Sequence, residues 1–370
     1  MLIGVDASRL GVAARTGTEH YSWELLQALG QIDRHNSYRL YCNQVPRSLP
    51  PLPASFTLRP IPLRRAWSHG RLSLEMLLHA PDLLFVPAHA LPIVPPRRSV
   101  VTIHDLGFMH HPEAHTRIQN LYYRLFTRLS ARRATHIIAI SEATKRDLQR
   151  FYGTPDDKIT VIYHGVHQRF QPIDDQEALQ QTQQRYGINA PYLLFVSTVQ
   201  PRKNVARLIE AVAEARTIVG AQMPQLVLAG KQGWLTEQIE RRADELGIAD
   251  YVHFIGYVPD SDLPALLSGA VAYVTPSLYE GFGMTVLEAQ ACGTPVLASN
   301  VSSLPEVVGD AGLLVDPYDV GSIRDAIVRL AQDTVLRAEL RERGLRHAAG
   351  WTWERTARQT LAVLEATAQR

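Results

Sequence analysis

Strand-length apolar runs alternate with amphipathic helical patterns along the whole of this 370-residue chain, and no other feature restricts the fold as strongly. Neighbouring parallel strands need a long crossover between them, usually a helix, so this alternation implies parallel sheets covered on both faces. In the first half the pattern predicts strands near residues 2–5, 39–42, 83–86, 100–104, 137–140 and 159–162, with helices near 21–29, 118–133 and 142–151. A polar, glutamine-rich helix near 176–186 follows. The alternation then begins again, with strands near 192–197, 225–229, 252–255, 270–275, 295–298 and 313–315. The chain is too long for one ordinary core, and the restart near residue 170 predicts two doubly wound α/β domains with a cleft between them. Ligands of such sheets bind beyond the C-terminal ends of the strands. The loops that follow the strands are therefore where chemistry is expected.

Composition closes several other routes. With 46% hydrophobic residues, 20% charged residues and a net charge of +2, no basic face dominates, and no nucleic acid partner is expected. The two cysteines, Cys42 and Cys292, are too few for a disulfide framework or a cysteine zinc site and suit a reducing compartment. Residues 1–5 run directly into strand-like sequence without a basic leader region. The most apolar window, residues 83–94, is interrupted by Pro87 and Pro92 and is too short to span a bilayer. The expected address is cytoplasmic, with the inner face of a membrane as a peripheral contact.

The segment Glu280-Gly-Phe-Gly-Met-Thr-Val-Leu-Glu288 places two carboxylates eight residues apart, with a Gly-x-Gly turn just inside the first. It lies between an apolar strand and a short helix ending at Gly293. A helix N-terminus exposed after a glycine turn offers free N–H groups and partial positive charge, which suits a phosphate. Glutamates repel phosphate and are better aimed at hydroxyl groups, so the combination points to a nucleotide sugar. In the same predicted sheet, the strand near 192–197 leads into Val199-Gln-Pro-Arg202-Lys203-Asn204 and a helix. Two cations beside a helix start are placed to neutralise a diphosphate; alone, the same turn reads equally well as a solvated basic loop. In the first half, the strand near residue 100 ends in His104-Asp105, where acid–base groups and substrate contacts usually sit. The alternative there is a hydrogen-bonded histidine packed under a loop, and Asp105 is open between orienting the imidazole and facing the acceptor. The turn Arg15-Thr-Gly17-Thr18 before a helix can bring backbone N–H groups near a phosphate.

Several other motifs do not complete. Gly230-Lys231 follows a strand, but a P-loop needs a glycine five positions earlier, where Gln225 stands. No Gly-x-Gly-x-x-Gly fingerprint follows the first strand, so no nicotinamide cofactor is expected. His110-His111-Pro-Glu-Ala-His115 resembles a metal site, but Pro112 disturbs the helical geometry that such a pair needs, and no metal is expected. The segment 117–133 interleaves Leu121, Tyr122, Leu125, Phe126 and Leu129 with five arginines, and Arg64, Arg65, Trp67 and Arg71 form a second basic and aromatic patch. Such sequence marks either contact with anionic lipid or a core-facing helix with a solvated face.

Taken together, Pro276-Ser-Leu-Tyr-Glu280-Gly-Phe-Gly-Met-Thr-Val-Leu-Glu288-Ala-Gln-Ala-Cys-Gly293-Thr-Pro295-Val resembles the signature of the group 1 (family 4) glycosyltransferases. Val161-Ile-Tyr-His-Gly165-Val166 is similar to that family's segment before the interdomain crossing, Ser303-Leu-Pro-Glu306-Val-Val-Gly309 to its following turn and Trp351-Thr-Trp353-Glu354 to the start of its last helix, so the resemblance covers almost the whole chain. It implies the GT-B architecture: two facing Rossmann-like domains with an interdomain cleft, here residues 1–170 on the acceptor side, with a C-terminal helix (352–370) crossing back onto it, and 171–351 for the donor. It further implies that Glu280 contacts donor-sugar hydroxyls and that the backbone of Gly281, Phe282, Gly283 and Met284 holds the sugar and its phosphate. Glu288 would bind ribose, Arg202 and Lys203 the leaving diphosphate, and Tyr257 or Val258 the base. Gly17 would face the phosphates, with His104 by the sugar and Asp105 on the acceptor side. Relatives are typically retaining and metal-independent, with the nucleotide-diphosphate sugar as co-substrate and no separate cofactor.

The chain departs from the family pattern in three places. An arginine usually stands five residues before the lysine of the diphosphate site; here that position is Thr198 and the arginine is adjacent. This Pro-Arg-Lys-Asn form resembles a branch rich in mannosyltransferases, which points to GDP-mannose. Thr18 and Glu19 stand beside Gly17 where a second glycine is usual. No carboxylate nucleophile is evident for the anomeric carbon, so retention would proceed by front-face displacement. The expected activity is hexosyl transfer to a growing glycan, for instance a lipid-linked oligosaccharide of a surface polysaccharide. Two alternatives stay open: a UDP- or ADP-sugar enzyme with a soluble sugar or sugar-phosphate acceptor, and a nucleotide-sugar binding subunit without turnover.

Overall fold

The computed structural model describes residues 1–11, 17–63, 66–88, 90–189, 191–231 and 236–370. The chain divides into two compact units, Met1–Gly165 with Thr352–Arg370, and Val166–Trp351.

Among the described residues, the first unit is built on a seven-stranded parallel sheet. Its strands are β1 (Leu2–Asp6), β2 (Ser37–Cys42), β3 (Phe56–Pro60), β4 (Leu83–Val86), β5 (Ser99–Ile103), β6 (His136–Ala139) and β7 (Ile159–Val161). The order across the sheet is β3-β2-β1-β4-β5-β6-β7. Strands β4, β5 and β6 are buried along their whole length, which is why they read as continuous apolar runs rather than alternating ones. One face packs Ile3, Val5 and Phe85 against Leu25, Leu26 and Leu29 of helix Gly17–Ile32 and against Ala357 and Leu364 of the C-terminal helix Trp353–Ala368. The other face packs Val101 and Ile137 against Leu72, Met76, Ala131 and Leu148.

The second unit repeats the plan with β8 (Tyr192–Val196), β9 (Gln225–Ala229), β10 (Val252–Gly256), β11 (Ala272–Thr275), β12 (Val296–Ser299) and β13 (Leu313–Val315). Here the order is β10-β9-β8-β11-β12-β13, again parallel. Phe195, Leu228 and Val274 meet Leu208, Ile209, Val212, Ile323 and Ile327 of helices Val205–Val219 and Val320–Gln332 in one core.

Among the described residues, strand β3 and helix Arg71–Leu78 are elements with no counterpart in the sequence pattern. Strand β3 is an edge strand with four exposed residues in five, so it carries no apolar run, and helix Arg71–Leu78 spans only two turns. The helix expected near 21–29 starts earlier, at Gly17.

Candidate active site

In the second unit the strand order reverses between β8 and β11. Open parallel sheets bind ligands at such a switch point, outside the carboxyl ends of the strands. The loop after β8 carries the short turn Pro201–Lys203, and the loop after β11 carries Glu280.

Asn204 fastens these loops to each other. It sits at φ +60° between the turn and helix Val205–Val219, a left-handed conformation that asparagine tolerates. Its buried amide donates to the carbonyls of Pro276 at 3.0 Å and Pro317 at 2.6 Å. The Leu278 N–H donates to the Arg202 carbonyl at 2.8 Å, and Arg202 Nη1 donates to the Tyr279 carbonyl at 3.0 Å.

The outcome is a compact charge cluster. Lys203 Nζ donates to Glu280 Oε1 at 2.5 Å, and Arg202 Nη1 to Oε2 at 3.2 Å. The Glu280 and Lys203 side chains are only 12% and 13% exposed. Burial alone would push the Glu280 carboxyl up, but the Lys203 and Arg202 charges, with hydrogen bonds from Lys203 and Ser277, hold it at about 2. Glu280 is therefore a carboxylate at neutral pH.

Serines set the loop that carries it. Ser302 Oγ accepts from the Glu280 N–H at 3.0 Å, and Ser303 Oγ reaches the carbonyls of Glu280 and Phe282, each at 2.9 Å. Gly283 stands at φ +96° at the start of helix Met284–Ala291. A Cβ there would lie 2.8 Å from Leu304 Cδ2, a side-chain end that can shift, so it is the backbone that calls for glycine. The helix starts next to the glycine turn, where the positive end of its dipole lies. Glu288 lies farther along the same helix, half-buried. Burial raises the Tyr273 phenol well above its ordinary pKa, and the charges of Glu280 and Glu288 both add to that. The two glutamates thus share one neighbourhood.

On the other side of β8, Gly230 lets three strand ends converge. Its N–H donates to the Gly256 carbonyl at 2.7 Å, and a Cβ on it would lie 2.0 Å from the Ser197 carbonyl oxygen. Just beyond, Tyr257 is 55% exposed, with Lys231 Nζ 5.8 Å from its ring centroid, while Val258 is buried.

The remaining expected site residues belong to the first unit. His104, buried at the end of β5, has Nε2 2.8 Å from the Pro87 carbonyl, so that nitrogen carries a proton and donates. The ring packs edge-on to Tyr21 at 4.9 Å and lies 6.0 Å from His164. Burial, and then the charge of His104, lower the His164 pKa well below the ordinary value. Asp105 Oδ1 accepts from the Gly107 N–H at 2.8 Å and so shapes the loop. Gly17 is the exposed first residue of its helix; Arg15 lies outside the described residues.

Sequence reasoning gave no role to Asn204, Ser277, Ser302 or Ser303. Only Asn204 carried a local signal, as a residue suited to a left-handed turn before a helix. Ser302 and Ser303 act on a loop more than 20 residues away, which no spacing rule shows.

Outside these loops, only part of the second basic patch lies among the described residues. Trp67 is buried, with its indole N–H donating to the Ile61 carbonyl at 2.7 Å, and Arg71 is paired with Glu75 at 3.0 Å; Arg64 and Arg65 lie outside the described residues. Helix Arg117–Arg133 turns Ala131 into the core of the first unit and keeps Phe126 and Leu129 partly buried, but most of its apolar stripe faces outward. It buries Asn120, Thr127, Ser130 and Ala131 and exposes Ile118, Leu121, Tyr122 and Leu125. His110 bonds Asp147 at 2.9 Å and His111 bonds Glu113 at 3.0 Å. Among the described residues no group of three or more His, Cys, Asp or Glu is placed to hold a metal ion.

Residues 179–347 match the family model of glycosyl transferases group 1, and residues 15–169 match that of glycosyltransferase family 4. The O-antigen chain mannosyltransferase B of Escherichia coli is 35% identical over 304 residues, covering 81% of this chain and 76% of that protein. The chain belongs to the group 1, family 4 glycosyltransferases. This glycosyltransferase is also 32% identical over 269 residues to the serotype-specific mannosyltransferase WbdA of Escherichia coli; the match covers 71% of this chain but 32% of that longer protein. Among solved structures, sucrose-phosphate synthase from Thermosynechococcus elongatus superposes with a TM-score of 0.78 at 20% identity, covering 99% of this chain and 98% of that one. At that identity the likeness shows the fold, which is of the GT-B type.

Proposed function

We propose that this glycosyltransferase moves a mannosyl group from GDP-mannose onto a growing, lipid-linked glycan, with retention at the anomeric carbon and without a metal ion. The observation that carries the reading is the Arg202–Lys203–Glu280 cluster fastened at the β8–β11 switch point. Two fixed cations near helix starts supply the positive charge that a departing diphosphate needs. Glu280 is assigned the sugar hydroxyls, the backbone of residues 281–284 the sugar and phosphate, Glu288 the ribose, and Tyr257 or Val258 the base. In the first unit, His104 and Asp105 are assigned to the acceptor. In the reacting step the bond from the anomeric carbon to the diphosphate oxygen breaks. The acceptor oxygen bonds the same face of that carbon, and its proton passes to the leaving diphosphate. The choice of mannose is supported by the mannosyltransferase names of the relatives.

The proposed workplace is a membrane surface. Ile118, Leu121, Tyr122 and Leu125 recur at helical spacing on the exposed face of helix Arg117–Arg133, accompanied by the exposed Arg117, Arg124, Arg128 and Arg132. An apolar stripe edged with arginines suits an anionic lipid interface. Among the described residues no helix is long and apolar enough to cross a membrane, so the contact is peripheral.

Calorimetry with GDP, UDP, ADP and TDP tests the base, and transfer from GDP-mannose in the presence of a chelator, with the product anomer read by NMR, tests the reaction. GDP should bind tightest, and transfer should survive chelation with retention. Preference for UDP or ADP with activity on free sugars would replace this reading with the soluble-acceptor one. Binding of every donor without turnover would leave a non-catalytic subunit.

A further inference from the structure

Lys203 and Arg202, the cations assigned to the donor diphosphate, both hold Glu280. A mostly buried cation without a counter-charge is costly, and here the carboxylate supplies that charge. A diphosphate in the same place is more highly charged than a carboxylate, and two anions pressed onto one pair of cations repel each other. Resting on the donor-site reading above, we propose that Glu280 is the internal occupant of the diphosphate cradle. Donor binding is then an exchange: phosphate oxygens displace the carboxylate from Lys203 and Arg202, and the displaced Glu280 turns to the sugar hydroxyls.

This exchange separates the intact donor from the spent product. A nucleotide sugar brings both a diphosphate and sugar hydroxyls, so Glu280 finds new partners as it leaves the cations. A nucleoside diphosphate, or inorganic pyrophosphate, takes the cations and offers the carboxylate no sugar in return. Glu280 therefore disfavours the product relative to the donor and speeds its departure after transfer. The anchors of the turn support an exchange of side chains alone. Asn204, the Leu278 N–H and the Arg202 carbonyl hold the backbone of both loops independently of the ion pairs, so the cations can change partners without the loops separating.

Calorimetric titration of inorganic pyrophosphate, which needs no base pocket, tests the exchange, with GDP and GDP-mannose in parallel. Glu280→Gln removes the competing charge and keeps the shape. It should bind pyrophosphate and GDP on the order of tenfold more tightly than wild type, as expected for a lost charged hydrogen-bond partner. It should bind GDP-mannose no more tightly. Equal or weaker pyrophosphate binding by a cooperatively folded Glu280→Gln protein overturns the exchange. Should that variant not fold, Glu280→Asp takes its place, because a shorter carboxylate holds the cations less well; tighter pyrophosphate binding supports the proposal and unchanged binding overturns it. Lys203→Ala separates the two levels. If it leaves pyrophosphate binding unchanged, the donor-site reading itself fails. If it weakens binding while the Glu280 variants bind no more tightly, only the exchange fails.

Discussion

The side-chain amide of Asn204 donates to the carbonyl of Pro276 at 3.0 Å, joining residues 72 positions apart in sequence. Through that bond and its partner to Pro317, the basic turn after β8 is held against the loop that carries Glu280. Asn204→Ala should therefore destabilise the second unit by about 2–3 kcal/mol, since it leaves two buried carbonyls unsatisfied and forces a left-handed alanine. Urea unfolding measures the loss. Asn204→Gly keeps the backbone freedom and loses only the bonds, so it should recover about 1 kcal/mol of the deficit. Equal stability of the two variants would show that φ at this position is immaterial.

Gly283→Ala places a Cβ 2.8 Å from Leu304 Cδ2 at a φ of +96°. The leucine end can shift, so the strain falls mainly on the backbone, and a loss of about 1–2 kcal/mol is expected. Thermal unfolding gives the value. Adding Leu304→Ala should not restore it, and full restoration would make the contact, not the backbone, the cause.

Glu280 gives a prediction in pH. Its folded pKa of about 2 lies below the ordinary 4.5, so the unfolded chain takes up the proton first. The stabilisation is complete above pH 4.5 and disappears as pH falls through 2; its size is about 3 kcal/mol. Glu280→Gln lacks the titrating group. The difference in unfolding free energy between wild type and this variant should thus shift toward the variant between pH 5 and 2. A constant difference across that window would mean that the carboxylate is not held by its cations.

The exposed stripe on helix Arg117–Arg133 is testable without touching the Arg202–Lys203–Glu280 cluster. Leu121→Ser with Leu125→Ser should weaken sedimentation with vesicles of anionic phospholipid by tenfold or more, corresponding to about 2 kcal/mol of lost apolar burial. Wild type should bind neutral vesicles more weakly than anionic ones. Unaltered binding by the double variant would move the contact to another face.

Much of this was legible in the sequence because buried parallel strands are written as short apolar runs, as in β4, β5, β11 and β12. Edge strand β3 was not, because solvent on both sides imposes no pattern on Phe56–Pro60. In the site, Glu280, Arg202 and Lys203 stood out by residue type beside glycine turns and helix starts. Their mutual contact did not, since it depends on strand order and not on spacing. The helix over 117–133 shows the opposite limit: periodicity finds a stripe, but an apolar stripe facing solvent and one facing a core have the same period.

Helix Trp353–Ala368 supplies Ala357 and Leu364 to the core of the first unit, and Gly165 fits directly beneath the Trp353 backbone, where a Cβ would lie 2.2 Å from its nitrogen. Residues 166–351 form a continuous stretch that emerges before this helix does. During synthesis, the second unit can close as soon as it leaves the ribosome. The first must wait with an open seam beside Leu25 and Leu26 until the chain returns to seal it, so a nascent chain halted near residue 350 would present a finished second unit and an unfinished first unit to the cell's chaperones.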